Sequence, residues 1–186
     1  MRCLTLAEAL REKVASVKFV SRNHAGNLNL LISQRRFSVS ELARSCHEKA
    51  LSERDDNVKD NYRAWLGVSE NQDALDTIKA IGPQKTDLLI VDHYALGEKW
   101  ERRLRPYVNC IMVIDDLANR CHDCDMLLDQ NWFENMDTRY DNLVPASCTQ
   151  LLGPEYALLR PEFAKARKKL KPHNGDVKRI FVFFGG

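Results

Sequence analysis

Thr86-Asp87-Leu88-Leu89-Ile90-Val91-Asp92-His93-Tyr94 is the stretch on which the reading of the fold turns. Four unbroken apolar residues, Leu88 to Val91, lie between Pro83 upstream and Gly97 downstream. A short continuous apolar run bounded in this way reads as a strand covered on both faces, as in a parallel sheet packed between helices. At its end the chemistry changes at once to a carboxylate, an imidazole and a phenol. In open α/β sheets, ligands bind beyond the carboxyl ends of the strands. One segment therefore suggests both a fold and a place to look for function. The plainer alternative is that Asp92 caps a loop and His93 is a satisfied polar group.

Working outward, strand and helix patterns alternate. A helix is expected over residues 3 to 13, with Leu4, Ala7 and Leu10 on one stripe. Val17-Lys18-Phe19-Val20 reads as a strand ending in Arg22-Asn23-His24. Residues 27 to 35 form a second helix, and Phe37-Ser38-Val39 a short strand. Residues 43 to 62 are highly charged and read as a solvated surface excursion. Ser69, with Gln72 three positions on, has capping-box spacing, and Gly82-Pro83 stops the helix it starts.

Beyond the opening strand, residues 97 to 105 make a basic helix ended by Pro106. Cys110 to Ile114 is a strand running into Asp115-Asp116, and Asp125 to Leu128 is one running into Asp129-Gln130-Asn131. Leu151-Leu152-Gly153-Pro154 closes another short strand, and Arg160-Pro161 opens a helix with proline where a first turn tolerates it. Ile180-Phe181-Val182-Phe183-Phe184 reads as a strand. The alternation gives an α/β fold with a mostly parallel, Rossmann-like sheet and helices on both faces.

The totals set limits. The 186 residues, 44% hydrophobic, make about one domain. With 28 basic and 26 acidic residues the net charge is +2, which gives no pull toward nucleic acid or an anionic membrane. No apolar run approaches the roughly 20 residues that span a bilayer, and Met1-Arg2-Cys3-Leu4 lacks the pattern of a secretory leader. Six scattered cysteines fit reduced thiols in a cytoplasmic protein. The run Lys165 to Lys171 reads as the wet face of a helix, without the interleaved aromatics of a nucleic-acid surface. No P-loop, complete Gly-x-Gly-x-x-Gly or Gly-x-Ser-x-Gly is present.

Four strand ends converge in a parallel sheet: Arg22-Asn23-His24, Asp92-His93-Tyr94, Asp115-Asp116 and Asp129-Gln130-Asn131. Carboxylates, amides and a phenol at one edge suit a polar ligand such as a sugar, whose hydroxyls both donate and accept. Cys121-His122-Asp123-Cys124 raises a zinc reading. Structural zinc wants four ligands and only one pair of this kind exists, so no metal site is assigned and His122 is read as a loop hydrogen bonder.

Several segments together carry a resemblance: Met1 to Ala7, Ile90 to Tyr94, Ile114 to Leu117, His122 to Asn131, Leu152 to Phe163 and Phe183-Phe184-Gly185-Gly186. As a set the chain resembles the UDP-sugar hydrolases of pseudaminic acid biosynthesis, which cleave UDP-2,4-diacetamido-2,4,6-trideoxy-β-L-altropyranose to free sugar and UDP. The resemblance implies the N-terminal half of a two-domain glycosyltransferase-B-like fold and hydrolysis without metal or other cofactor. It divides the chain into a sugar-side domain over 1–157 lacking its first strand, an interdomain helix and linker over 158–176, and the first strand of a nucleotide-binding domain over 177–186. It puts the general-base histidine upstream of Met1, so no catalytic residue is assigned here and the chain alone is expected to be inactive.

On the same ground Asp92, His93, Tyr94, Asp115, Asp116, Gln130, Asn131 and Arg160 are expected to bind the UDP-sugar substrate. An exposed sheet edge is expected to favour self-association. The alternatives are a glycosyltransferase domain and a non-catalytic module that binds a sugar nucleotide.

Overall fold

A computed structural model describes residues 1–44, 62, 65–170, 175 and 177–182. The first helix, α1 (Arg2–Glu12), places Leu4 and Ala7 on its buried stripe. Strand β1 (Lys18–Arg22) runs parallel to β2 (Ser38–Leu42), in register from Lys18 opposite Ser38 to Arg22 opposite Leu42. The short α2 (Asn29–Gln34) connects them. Helix α3 (Glu70–Ile81) begins as its cap predicts: Ser69 Oγ accepts a hydrogen bond from the Gln72 amide at 3.2 Å. It ends at Gly82, whose φ of 86° favours a residue without a Cβ.

Four parallel strands follow: β3 (Thr86–Val91), β4 (Val108–Ile114), β5 (Met126–Asp129) and β6 (Thr149–Leu152), hydrogen-bonded in that order. Helix α4 (Glu98–Leu104) crosses from β3 to β4 and runs into a single 3-10 turn at Arg105–Tyr107, where Pro106 sits. Helix α5 (Pro161–Lys169) buries none of its residues, so its lysines and arginines face solvent.

Side chains alternate across the strands and cover both faces of this sheet. Leu89, Val91, Ile111, Val113 and Leu127 pack with Ala74 of α3 and with Trp100 and Leu104 of α4. On the opposite face, Leu88, Ile90, Met112, Ile114 and Leu128 meet Cys3 and Leu6 of α1. The architecture is the α/β fold with parallel strands and helices on both faces that the alternation predicts.

Three features differ from the sequence reading. The run Leu88–Val91 does touch both layers, but among the described residues β3 is an edge of its sheet and Leu88 to Ile90 are only partly buried. β4 takes the centre, with Ile111, Val113 and Ile114 at most 1% exposed. An apolar run reports that its two faces are covered; it does not report which strands flank it.

Second, among the described residues the parallel strands form two ladders rather than one, β1-β2 and β3 to β6. They are held together by packing. α1 contributes Leu4 and Ala7 to the layer with Phe19, Phe37 and Val39, and Cys3 and Leu6 to the layer with Leu88 and Ile90. α3 contacts β1 and β2 as well as the β3–β5 core. A buried ion pair, Arg22 Nη2 to Asp73 Oδ2 at 2.7 Å, fastens β1 to α3.

Third, residues 177–182 carry no strand, and Phe181 is 90% exposed. Among the described residues no strand pairs with it, and a β-prone sequence needs a ladder to join. The rest of that expected strand, and most of the charged stretch 43 to 62, lie outside the described residues.

Candidate functional site

Parallel strands deliver their carboxyl ends to one rim, and here β3, β4 and β5 deliver Asp92-His93-Tyr94, Asp115-Asp116 and Gln130-Asn131. A helix packed antiparallel to those strands turns its N-terminus to the same rim. α1 does so, bringing Arg2 and Cys3 over the end of β3. A cation in a helix's first turn opposes the helix dipole, and Asp92 supplies the compensating charge. Arg2 Nε and Nη2 grip the Asp92 carboxylate at 3.0 and 2.6 Å, and Cys3 Sγ lies 3.0 Å from Oδ2.

The protonation consequences follow from this contact. Burial pushes the Asp92 carboxyl up, but the hydrogen bonds from Arg2 and Cys3 outweigh it and hold the group below its usual range. The hydrogen bond to Asp92 raises the Arg2 guanidinium further. Burial, reinforced by the Asp92 charge, pushes the Cys3 thiol up to about 12.

Asp116 is the point on which the rim converges. Asn131 Nδ2 donates to its Oδ2 at 3.1 Å, and Arg2 Nη1 lies 3.7 Å from the same oxygen. The Tyr94 phenol lies near Asp116; burial first, then that carboxylate, raise its pKa. The Asp116 carbonyl accepts from Arg139 Nη2 at 2.7 Å, and the Arg139 guanidinium lies 3.5 Å over the Phe133 ring. Tyr94, Asp116 and Asn131, drawn from three strand ends, thus form one contiguous polar patch with Arg2.

Beneath the patch lies a buried tier. Asp115 is 0% exposed; its Oδ2 accepts from the Ala118 amide at 2.9 Å, and Arg120 Nη1 approaches its Oδ1 at 2.8 Å. Ala118 has φ 48°, a conformation a non-glycine residue adopts only when its surroundings enforce it. Asp115 is expected from sequence to meet substrate. Its full burial gives it instead to the turn that presents Asp116. The Tyr140 hydroxyl lies 3.0 Å from Asp129 Oδ2 and 3.2 Å from Asp115 Oδ2, bridging the ends of β4 and β5.

The remaining expected residues stand apart from the patch in differing degree. His93 Nδ1 accepts from the Ala95 amide at 3.1 Å, and burial lowers its pKa, so it is a neutral imidazole that shapes the turn. Gln130 Oε1 accepts from the Leu158 amide at 3.2 Å, anchoring the segment after β6 to the rim. Arg160 is exposed at the start of α5 and stacks 5.5 Å from the Phe163 centroid, so the structure does not bring it to Asp116.

The Cys121–Cys124 segment serves packing. His122 Nδ1 lies 2.7 Å from Glu101 Oε1, both wholly buried, and Cys124 Sγ faces Cys148 Sγ at 3.6 Å. Sequence reasoning missed Arg2, Arg139 and Tyr140. Arg2 had a usable signal, since a helix lying antiparallel to the strands starts at the rim.

No family model matches the chain. It is 31% identical over 111 residues to the UDP-2,4-diacetamido-2,4,6-trideoxy-beta-L-altropyranose hydrolase of Campylobacter jejuni, an alignment covering 60% of this chain and 39% of that protein. It is 26% identical over 172 residues to an uncharacterized protein of Methanocaldococcus jannaschii, covering 86% of this chain and 32% of the other. The chain therefore spans 39% and 32% of the lengths of these two relatives.

Proposed function

We propose that the rim around Asp116 holds the carbohydrate of a UDP-linked sugar, and that this chain is the sugar-side part of a hydrolase acting on a diacetamido-trideoxy sugar. The observation that carries this reading is the convergence of Tyr94, Asn131 and Arg2 on Asp116. Together they offer a carboxylate acceptor, an amide that both donates and accepts, a phenol and a guanidinium. A hydroxylated, acetamido-bearing ring needs such a mixture. The similarity to a hydrolase of this substrate class supports the same reading.

In the reaction, a water oxygen bonds to the anomeric carbon while the bond from that carbon to the phosphate oxygen breaks. The electron pair leaves with UDP, and the water's proton passes to a base. The rim's contribution is to bind and orient. Among its described residues, Asp92 is held ionised by Arg2 and His93 spends Nδ1 on a backbone amide, so neither is free for that proton.

Saturation-transfer NMR and calorimetry on this chain, with the free diacetamido sugar and with UDP, test the proposal. Sugar ring and acetamido methyl protons should receive saturation, and Asp116→Asn should weaken sugar binding roughly tenfold, about 1.4 kcal/mol. No sugar binding at millimolar concentration, or equal binding by Asp116→Asn and Asn131→Ala, would overturn it.

A further inference from the structure

We infer that Tyr62, Trp65 and Tyr94 form an aromatic wall beside this rim, on which the apolar face of the bound sugar stacks, with Trp65 as its exposed contact. The inference rests on the reading of the rim as a carbohydrate site. The three rings form one group: Tyr62 lies 5.1 Å from Trp65 and 5.2 Å from Tyr94, and Trp65 lies 6.4 Å from Tyr94, centroid to centroid.

Core packing does not account for Trp65. Its neighbour Leu66 is 5% exposed and Trp100, which donates its indole N–H to Asp73, is 3% exposed, whereas Trp65 is 58% exposed. A single surface aromatic needs no explanation. This one is joined through the Tyr94 ring to a patch of hydrogen-bonding groups, because Tyr94 stands two residues after Asp92 at the end of β3, beside the Arg2–Asp92 contact. An apolar wall meeting a polar floor has the two-sided chemistry of a sugar, C–H groups on one face and hydroxyl and amide groups around the edge.

One observation favours the sugar over the nucleotide as the occupant. The rings are inclined to one another by 77°, 56° and 42°, which makes a corner for a puckered ring bearing methyl groups rather than a flat slot for a base.

The test is calorimetric titration of the free diacetamido sugar and of UDP into the wild-type chain and into Trp65→Ala, Trp65→Phe and Tyr62→Leu, with each variant's fold checked by circular dichroism. Trp65→Ala should lose sugar affinity by roughly fivefold, Trp65→Phe should retain most of it, and UDP binding should be the same in both. If the wild type binds sugar and Trp65→Ala binds it equally well, the wall is overturned while the rim stands. If UDP affinity falls in parallel with sugar affinity, the wall holds a base and the inference fails. If the wild type binds no sugar, the rim reading falls and the wall with it.

Discussion

Arg2 Nη2 lies 2.6 Å from Asp92 Oδ1, joining the first turn of α1 to the end of β3 across 90 positions of sequence. With the second contact from Nε, the fork fixes how α1 sits over the rim. It is also a charge arrangement with a pH signature.

The Asp92 carboxyl is depressed in the folded chain, so its contribution to stability is present above its unfolded pKa and is lost as pH falls through the folded value. Arg2→Ala should therefore cost about 1 kcal/mol at pH 7, discounted for partial exposure. The gap from wild type should close in acid, below the ordinary aspartate pKa of about 3.9. Urea unfolding of both proteins at pH 7 and pH 3 measures it; a gap of equal size at both would show that the pair is not its source.

Asp73 accepts from Arg22 Nη2 at 2.7 Å and from the Trp100 indole at 3.0 Å, with both members of the ion pair nearly fully buried. Asp73→Ala should destabilise by about 2 kcal/mol, because it removes the buried partner of Arg22 and of the Trp100 indole while Asp76, 3.1 Å from Arg22 Nη2, still faces the guanidinium. Asp73→Asn, which keeps an acceptor, should cost less. Equilibrium denaturation ranks the two, and near-neutral behaviour of the alanine variant would remove the pair from the structural account.

Glu101 spends one oxygen on His122 Nδ1 and the other on the Asp123 amide. Glu101→Ala would leave both donors buried and unmet, at a cost of about 3 kcal/mol. Glu101→Gln can still accept from one of them and should recover part of that. Thermal melts of the two variants provide the comparison, with equal melting temperatures as the contrary result.

Thiol chemistry should divide the cysteines. Cys3 is pushed up to about 12 and burial pushes Cys124 up as well, whereas Cys121 is exposed. Since the thiolate is the nucleophile, iodoacetamide at pH 8 should modify Cys121 well ahead of Cys3 and Cys124, as read by peptide mass mapping. Cys3 labelling at the pace of Cys121 would contradict the contact with Asp92.

The elements were legible where a local rule governs them. Leu88 to Val91 and Cys110 to Ile114 announce strands by composition, Ser69 and Gln72 announce a helix start, and parallel strand ends announce a rim. That rule places Asp92, Tyr94, Asp116 and Asn131 on one rim, where the structure has them. What escaped depends on long-range geometry. Tyr140 comes from a polar connection to lie under β4 and β5, and nothing in residues 136 to 143 marks one phenol for burial. Asp115 and Asp116 are adjacent and identical in type, and only the turn through Ala118 decides which faces inward. Arg160 carries the right chemistry but meets Phe163 on its own helix.

The separation of the strands into two ladders has a mechanical meaning. Among the described residues no backbone hydrogen bonds of a shared ladder lock one sheet to the other, so the seam between β1-β2 and the four-stranded sheet is held by side chains, those of α1 and α3 and the Arg22–Asp73 pair. Sliding along it would change the spacing between the turn at His24 and the turn at Tyr94 while leaving every ladder intact. Such a slide would have to break the Arg22–Asp73 pair and repack α1, so these side chains set the spacing of the two turns.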